Sequence, residues 1–349
     1  MLDPKKPLSK WTLDEMEELY AEQGSFRGCG RVVGVHHCTW IKAYDEKLKE
    51  KEQMKGLKQT LLTLDYMPKE KASPIVINSA VRLVQDNGYL CTKKPLQRGR
   101  TITIQPEPVD NNVYKIGLVS DTHLCSMYQQ ISSLWKFYET CEKQGVDTVL
   151  HSGDLSDGFK LYSGQEFEIF KHGEKAQSQY IVENYPHIEG IQTQVIGGNH
   201  DESFWKRFGT DICYNVGIQR PDISYLGFYL ATVITHGVNI CLHHGDGGVT
   251  YAKSYKSQKL ALSKIENKEK PAPDVISLGH YHTSCILPRI FGMYMVQMPC
   301  FQGVTPNYMG RKGMNPDIGG VILELEIEDN KLVSTKTQYI QYKEQEDDY

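Results

Sequence analysis

The sequence predicts an α/β domain preceded by a small, mainly helical N-terminal domain. Three observations predict it. After residue 112, apolar runs of strand length alternate with helical stretches; a helical period marks residues 11–48; and the Pro- and Asn-rich stretch QPEPVDNN (105–112) reads as the linker where one texture gives way to the other. At 349 residues the chain exceeds what a single hydrophobic core usually serves. Its 40% apolar and 23% charged residues are a globular balance. The boundaries that follow are 1–60 for the helical domain, 61–112 for a small mixed module and linker, and 113–349 for the α/β domain.

In the helical domain, TLDEMEELYAEQGSF brings Leu13, Met16, Leu19 and Tyr20 to one face, with Thr12 as N-cap and Glu15 three residues on. A second short helix, a turn at Gly34 and a third helix from about His36 carrying Trp40, Ile41 and Tyr44 complete the pattern. This is the layout of a helix-turn-helix, whose last helix lies in a DNA major groove. A three-helix bundle that serves only packing or contact with another protein gives the same pattern. Gly28 and Gly30 weaken the middle helix, each by about 1 kcal/mol relative to Ala.

The run DEKLKEKEQMKGLKQ (45–59) is a mixed-charge solvated face or linker. Residues 74–105 suggest a helix, an Asn87-Gly88 turn and one or two strands, with Lys93, Lys94, Arg98 and Arg100 forming a basic loop.

A net charge of −4 argues against a uniformly basic nucleic-acid coat but leaves room for a local basic face. Nine widely spread cysteines with no C-x-x-C pair read as reduced thiols, not a disulfide framework or a zinc ribbon. The N-terminus has no signal-peptide core, and no apolar run approaches about 18 residues. A cytoplasmic protein with no membrane partner is therefore expected.

In the α/β domain the strand ends carry the chemistry. KIGLVSDTH ends in Asp121 and His123, SGDLSDG holds Asp154, and GGNHDES holds Asn199, His200 and Asp201. LHHGDGG holds His243, His244 and Asp246, and LGHYHTS holds His280 and His282. These are oxygen and imidazole donors without thiolate, a set that suits Mn²⁺, Fe or Zn²⁺ better than Mg²⁺ alone. Two cations about 3.5–4 Å apart need a bridging carboxylate, and Asp154 is the natural one. On an extended segment residues i and i+2 point the same way, so Asp121 with His123, and His280 with His282, are expected to converge. An isolated histidine is commonly a packed core residue, whereas five such pieces in order at strand ends point to a metal site.

D-x-H, G-D, G-N-H-D, H-G and G-H-x-H in this order resemble the calcineurin-like metallophosphoesterase superfamily over about residues 113–330. Similar proteins, some bacteriophage-encoded, join such a domain to a small N-terminal region. The resemblance implies a four-layer αββα sandwich and a dinuclear centre, with manganese first and Fe, Zn, Ni or Mg as alternatives. Carried over by motif, Asp121, His123 and His282 hold one cation and Asn199, His244 and His280 the other, with Asp154 between. His244, directly before the Gly, is preferred to His243. His200 protonates the leaving oxygen, oriented by Asp201, unless Asp201 only caps the following helix. The chemistry implied is attack of metal-generated hydroxide on phosphorus.

His151, Asp157 and Asp246 fit supporting or turn roles. Lys253 and Lys256 in TYAKSYKSQKLAL, and Arg311 in FQGVTPNYMGRKG, are candidate substrate-binding residues, although helical spacing equally suits a solvated face. The helical domain, the basic pieces and a general similarity to the nuclease subunits of double-strand-break repair complexes favour DNA as partner and a phosphodiesterase or nuclease as function. The chain departs from those subunits in its N-terminal addition and in lacking an evident C-terminal capping domain, which argues against processive end-resection. The alternatives are a phosphomonoesterase with a protein-recruiting N-terminal domain, and a non-enzymatic DNA-binding protein with a structural metal site. Homodimerisation is left open.

Overall fold

The computed structural model describes residues 7–23, 25–36, 38–45, 47, 100–248, 251–268 and 272–349. The chain divides into two compact units, Met1–Lys93 and Lys94–Tyr349. The helix, Asn87-Gly88 turn and basic residues Lys93, Lys94 and Arg98 expected between 61 and 99, and most of the 45–59 charge run, lie outside the described residues.

In the first unit, α1 (Leu13–Gln23) and α2 (Phe26–Val33) are followed by a turn at Gly34 and helical residues 38–45. Thr12 and Glu15 form the expected reciprocal cap: the Thr12 N–H donates to Glu15 Oε2 at 2.7 Å, and the Glu15 N–H to Thr12 Oγ1 at 3.3 Å. Trp11, Met16, Leu19, Cys29 and Trp40 make a small buried cluster, with the two indoles edge-to-face at 5.5 Å. Tyr20, expected on the apolar face, is exposed.

The second unit holds two six-stranded mixed sheets. One has the order β12-β11-β2-β3-β4-β5 and the other β1-β6-β7-β8-β10-β9. The strands are β1 (Arg100–Ile104), β2 (Val113–Val119), β3 (Thr148–His151), β4 (Gln192–Gly197), β5 (Ile223–Phe228), β6 (Leu230–Thr235), β7 (Val238–His244), β8 (Val275–Gly279), β9 (Cys285–Ile290), β10 (Met293–Gln297), β11 (Gly319–Glu328) and β12 (Lys331–Gln341). Helices α3 (Ile131–Lys143), α4 (Glu174–Asn184), α5 (Asn199–Phe208) and α6 (Ile212–Gly217) lie against the first sheet, and α7 (Tyr255–Glu266) against the second. The result is the four-layer sandwich that the sequence motifs imply. Strand β1 lies where one or two strands were expected, but residues 100–104, assigned to the small mixed module, pair parallel with β6 from Arg100↔Ala231 to Ile104↔Thr235 and form an edge of the second sheet.

Alternation along the strands builds the layers. On β2, Ile116 and Leu118 enter the core between the sheets with Leu150, Ile240, Leu242 and Val296, whereas Val119 faces α3 with Phe137. Phe137 seats itself over a strand surface left bare at Gly320, where an added Cβ would lie 2.5 Å from the ring. The parallel strands β2, β3 and β4, and likewise β7 and β8, end at the same side of their sheets. Among the described residues no helix is long and apolar enough to cross a membrane.

Two outcomes follow. Gly320→Val should destabilise the protein by about 2–3 kcal/mol in urea unfolding through overpacking against Phe137, and Phe137→Leu in the same chain should recover part of the loss. Asp211 caps α6 by accepting the Tyr214 N–H at 3.1 Å, and burial lifts its carboxyl from 3.8 to about 6. A raised acid binds its proton more tightly in the folded state. Its contribution is therefore intact below pH 4 and is lost as pH rises through 6. Asp211→Asn keeps the cap, so it should melt with wild type at pH 4 and a few degrees above it at pH 7.5.

Candidate metal centre

The backbone leaves the extended conformation where the donors begin. Asp121, His123, Asp154, His280 and His282 have φ of 51°, 43°, 54°, 88° and 53°, in the left-handed region that non-glycine residues rarely adopt. Convergence of each i, i+2 pair therefore does not come from the extended-chain alternation expected from the sequence. It comes from left-handed kinks at both donors, with Thr122 turned away and hydrogen-bonded through its hydroxyl to the Leu155 carbonyl at 3.0 Å. Such backbone persists where surrounding structure over-determines it. Here the Asp121 N–H donates to the Gly153 carbonyl, the His123 N–H to the Asp154 carbonyl, and the His280 N–H to the Asp121 carboxylate at 2.9 Å.

Three overlapping groups of donor atoms result: Asp121, His123 and His282; His123, Asp154 and His200; and Asp154, His244 and His280. The ring nitrogens of His123 and His282 face each other, Nε2 to Nε2, at 3.1 Å, and Asp121 Oδ1 is 3.3 Å from His282 Nε2. His244 Nε2 lies 3.1 Å from Asp154 Oδ2 and 3.1 Å from the Asn199 amide oxygen. All seven expected ligands thus meet in one place, and most are buried.

The outer partners say which atoms are bare. His123 Nδ1 lies 3.1 Å from the Asp157 carboxylate and His244 Nδ1 lies 2.8 Å from the Ser152 carbonyl, so each is placed to donate there and leave Nε2 as a lone pair aimed inward. His280 is reversed: Nε2 faces the Gly247 carbonyl at 2.8 Å, which leaves Nδ1. Lone pairs, carboxylates and an amide oxygen converging without a dedicated donor fit a divalent cation. Gly198 is part of the fit, since a Cβ there would stand 2.2 Å from Asp154 Oδ1 and 2.7 Å from the His244 ring.

The ionisation of each group is set by its neighbours in the cluster. Burial opposes ionisation of Asp154, yet His244 and His200 hold its carboxyl well below the usual range. Burial likewise opposes charge on His244, but Asp154 outweighs it and lifts the imidazole to about 9. His280, buried and beside His244, is pushed down to about 4.

His200 stands against this cluster, its ring edge-to-face with His123 at 4.4 Å. Its Nδ1 is 2.7 Å from the Asp157 carbonyl and 3.7 Å from the Asp157 carboxylate. Asp201, expected to orient it, does not. Both its carboxylate oxygens are taken by the backbone N–H groups of Leu155, Ser156 and Gly198 and by the Ser156 hydroxyl, so it caps α5 and pins the loop after Asp154. The orienting group is Asp157, fully buried and also held by Gln165 and Gln302. Its signal was the second carboxylate of GDLSD, three residues after Asp154. Gln302 and Ser152 carry no comparable signal.

His243 points away from the cluster and is pushed down to about 3, mainly by burial and then by Lys264. His151 packs beneath the site with Nε2 3.1 Å from the Thr122 hydroxyl. The Asp246 carboxylate accepts the Gly247 N–H in a turn. Lys256 donates to the Asp246 carbonyl at 3.1 Å and lies over the Tyr281 ring, Lys253 reaches Asp317 at 3.5 Å, and Arg311 is exposed.

The model of the calcineurin-like phosphoesterase family matches residues 114–297, just over half of the chain. The chain belongs to that family, and hence among metal-dependent phosphoester hydrolases. Among solved structures it is similar to a phosphatase from Mycoplasma pneumoniae (12% identity, 66% of this chain and 94% of that one, TM-score 0.38). Others are Vps29 from Chaetomium thermophilum (12%, 67% and 100%, 0.35) and a Streptococcus pneumoniae protein described as a predicted phosphoesterase (15%, 66% and 91%, 0.34). No curated protein matches the chain.

Asp157→Ala removes the acceptor of His123 and the group beside His200 in one step. It should lower phosphoester hydrolysis by about 10- to 100-fold with little change in the far-ultraviolet circular dichroism spectrum.

Proposed function

We propose that the protein is a dinuclear metal-dependent phosphodiesterase, a nuclease that acts on DNA. The observation that carries the proposal is His200, fixed through Nδ1 by Asp157 at the edge of the converging donors. In this reading Asp121, His123 and His282 hold one cation, Asn199, His244 and His280 the other, and Asp154 both, with manganese as the preferred metal. Bound there, two divalent cations would acidify a water for in-line attack and offset charge on the equatorial oxygens.

The remaining chemistry belongs to the chain. His200 presents Nε2 to the leaving oxygen and supplies its proton, while Asp157 keeps the ring from turning. The exposed Lys253 and Arg311, with Lys256, meet non-scissile phosphates. The helical unit around Gly34 supports DNA as substrate, because short helices joined by a Gly turn suit a groove-reading element.

The test is hydrolysis of bis-p-nitrophenyl phosphate, p-nitrophenyl phosphate and labelled single- and double-stranded DNA with Mn²⁺. His200→Ala should retain about two bound metal equivalents, measured by mass spectrometry, and lose about 100-fold or more in diester turnover. Asp154→Ala should lose both metal and turnover. Turnover of the monoester alone would overturn the proposal.

A further inference from the structure

A compact patch of cations and rings lies at the far end of the helix that begins with Asn199 and His200. Arg207, two turns beyond His200 and so about 10 Å along the axis of α5, donates from Nε to the Phe159 carbonyl at 3.2 Å and from Nη2 to the Lys160 carbonyl at 2.6 Å. It thereby clamps the loop that leaves Asp157. The clamp holds Lys160 at φ 53°, a left-handed conformation unfavourable for lysine. The Lys160 ammonium lies 5.3 Å and the Arg207 guanidinium 6.0 Å from the Phe159 ring centroid. Phe208 lies 5.8 Å from the same ring and is 53% exposed. None of the residues in this arrangement is among the converging donors. It strains a lysine and leaves a phenylalanine in water.

We propose that Phe159, Lys160, Arg207 and Phe208 form the binding site for the leaving-side nucleotides of a single-stranded polynucleotide. This rests on the phosphodiesterase reading above, in which His200 faces the leaving oxygen. An aromatic face flanked by fixed cations suits a base with its neighbouring phosphate, and stacking serves any sequence. Cations alone would serve an acidic peptide or a duplex backbone as well; the exposed Phe208 ring, backed by the half-buried Phe159, selects unpaired bases. The patch shares its loop with Asp157 and its helix with His200, so a strand stacked there is held in register with the cluster.

Two substitutions spare the fold. Lys160→Gly relieves the backbone while removing the charge, and Phe159→Leu retains apolar bulk against the core while removing the ring. With a labelled single-stranded oligonucleotide and Mn²⁺, each should raise KM about 5- to 10-fold, with kcat/KM for bis-p-nitrophenyl phosphate unchanged within about twofold. Lys160→Gly should also flatten the salt dependence of KM by about one phosphate contact. Fluorescence anisotropy of the same oligonucleotide on His200→Ala, with and without the patch substitutions, tests binding without turnover. Weaker single-strand binding in the patch variants supports the site even where wild type hydrolyses no DNA, a result that would sink the nuclease reading alone. Equal binding and equal KM in both variants, or an equal weakening of duplex and single-strand binding by the patch substitutions, would overturn the site.

Discussion

The structure depends on one electrostatic demand: several bare carboxylates and imidazole lone pairs must face a common point in a place from which water is largely excluded. Left to themselves these groups repel, desolvate poorly and rotate away. The sheets oppose this by delivering them from opposite sides. Strands β2, β3 and β4 bring Asp121, His123, Asp154 and Asn199 from one sheet, and β7 and β8 bring His244, His280 and His282 from the other. The two sheets are tied at that end by Ser152 and Ser277, hydroxyl to hydroxyl at 2.7 Å, and by His244 on the Ser152 carbonyl. The apolar core between the sheets thus has a polar end, and that end is the site.

The left-handed residues follow from the same demand. A strand that ran on past Val119 would send Asp121 and His123 along the sheet edge; turning both residues left-handed folds them inward. Each such turn costs of order 1 kcal/mol for a non-glycine residue. The cost is met by backbone hydrogen bonds that close between strand ends, such as Asp121 to Gly153 and His123 to Asp154. Asp201 belongs to this framework: its four accepted hydrogen bonds lock the loop that holds Asp154 in its kink.

Much of this was legible in the sequence, and the parts that were not share a cause. Donor identities could be read because residue type and order are local, and Thr12 with Glu15 could be read because a cap spans three residues. The conformation of the donors could not, because a left-handed Asp or His looks like an extended one until its partner strand is placed. Strand β1 falls where one or two strands were expected, but its place in the second sheet was not legible for a related reason: its partner β6 lies about 130 residues away. Asp201 and Asp157 exchanged roles because sequence adjacency to His200 favours the first, whereas the loop geometry brings the second to the ring. Tyr20 sat on the right helical face by period but outside a cluster too small to cover it.

The metal cluster is indifferent to what is esterified to the phosphate, so selectivity must reside in the loops around it. Those loops are not loosely attached. Gln165 donates to Asp157, Glu168 holds both the Tyr162 hydroxyl and the Asn307 N–H, and Glu344 accepts the Val304 N–H. Asp348 accepts the N–H and hydroxyl of Ser132 at the start of α3, while Gln129 of the same segment bridges to Gln302, whose amide reaches Asp157. Hydrogen bonds therefore run from the rim to Asp157, whose carboxylate holds His123 and whose carbonyl holds His200. In such an arrangement a group that shifts the rim also shifts Asp157 and, with it, the rings of His123 and His200.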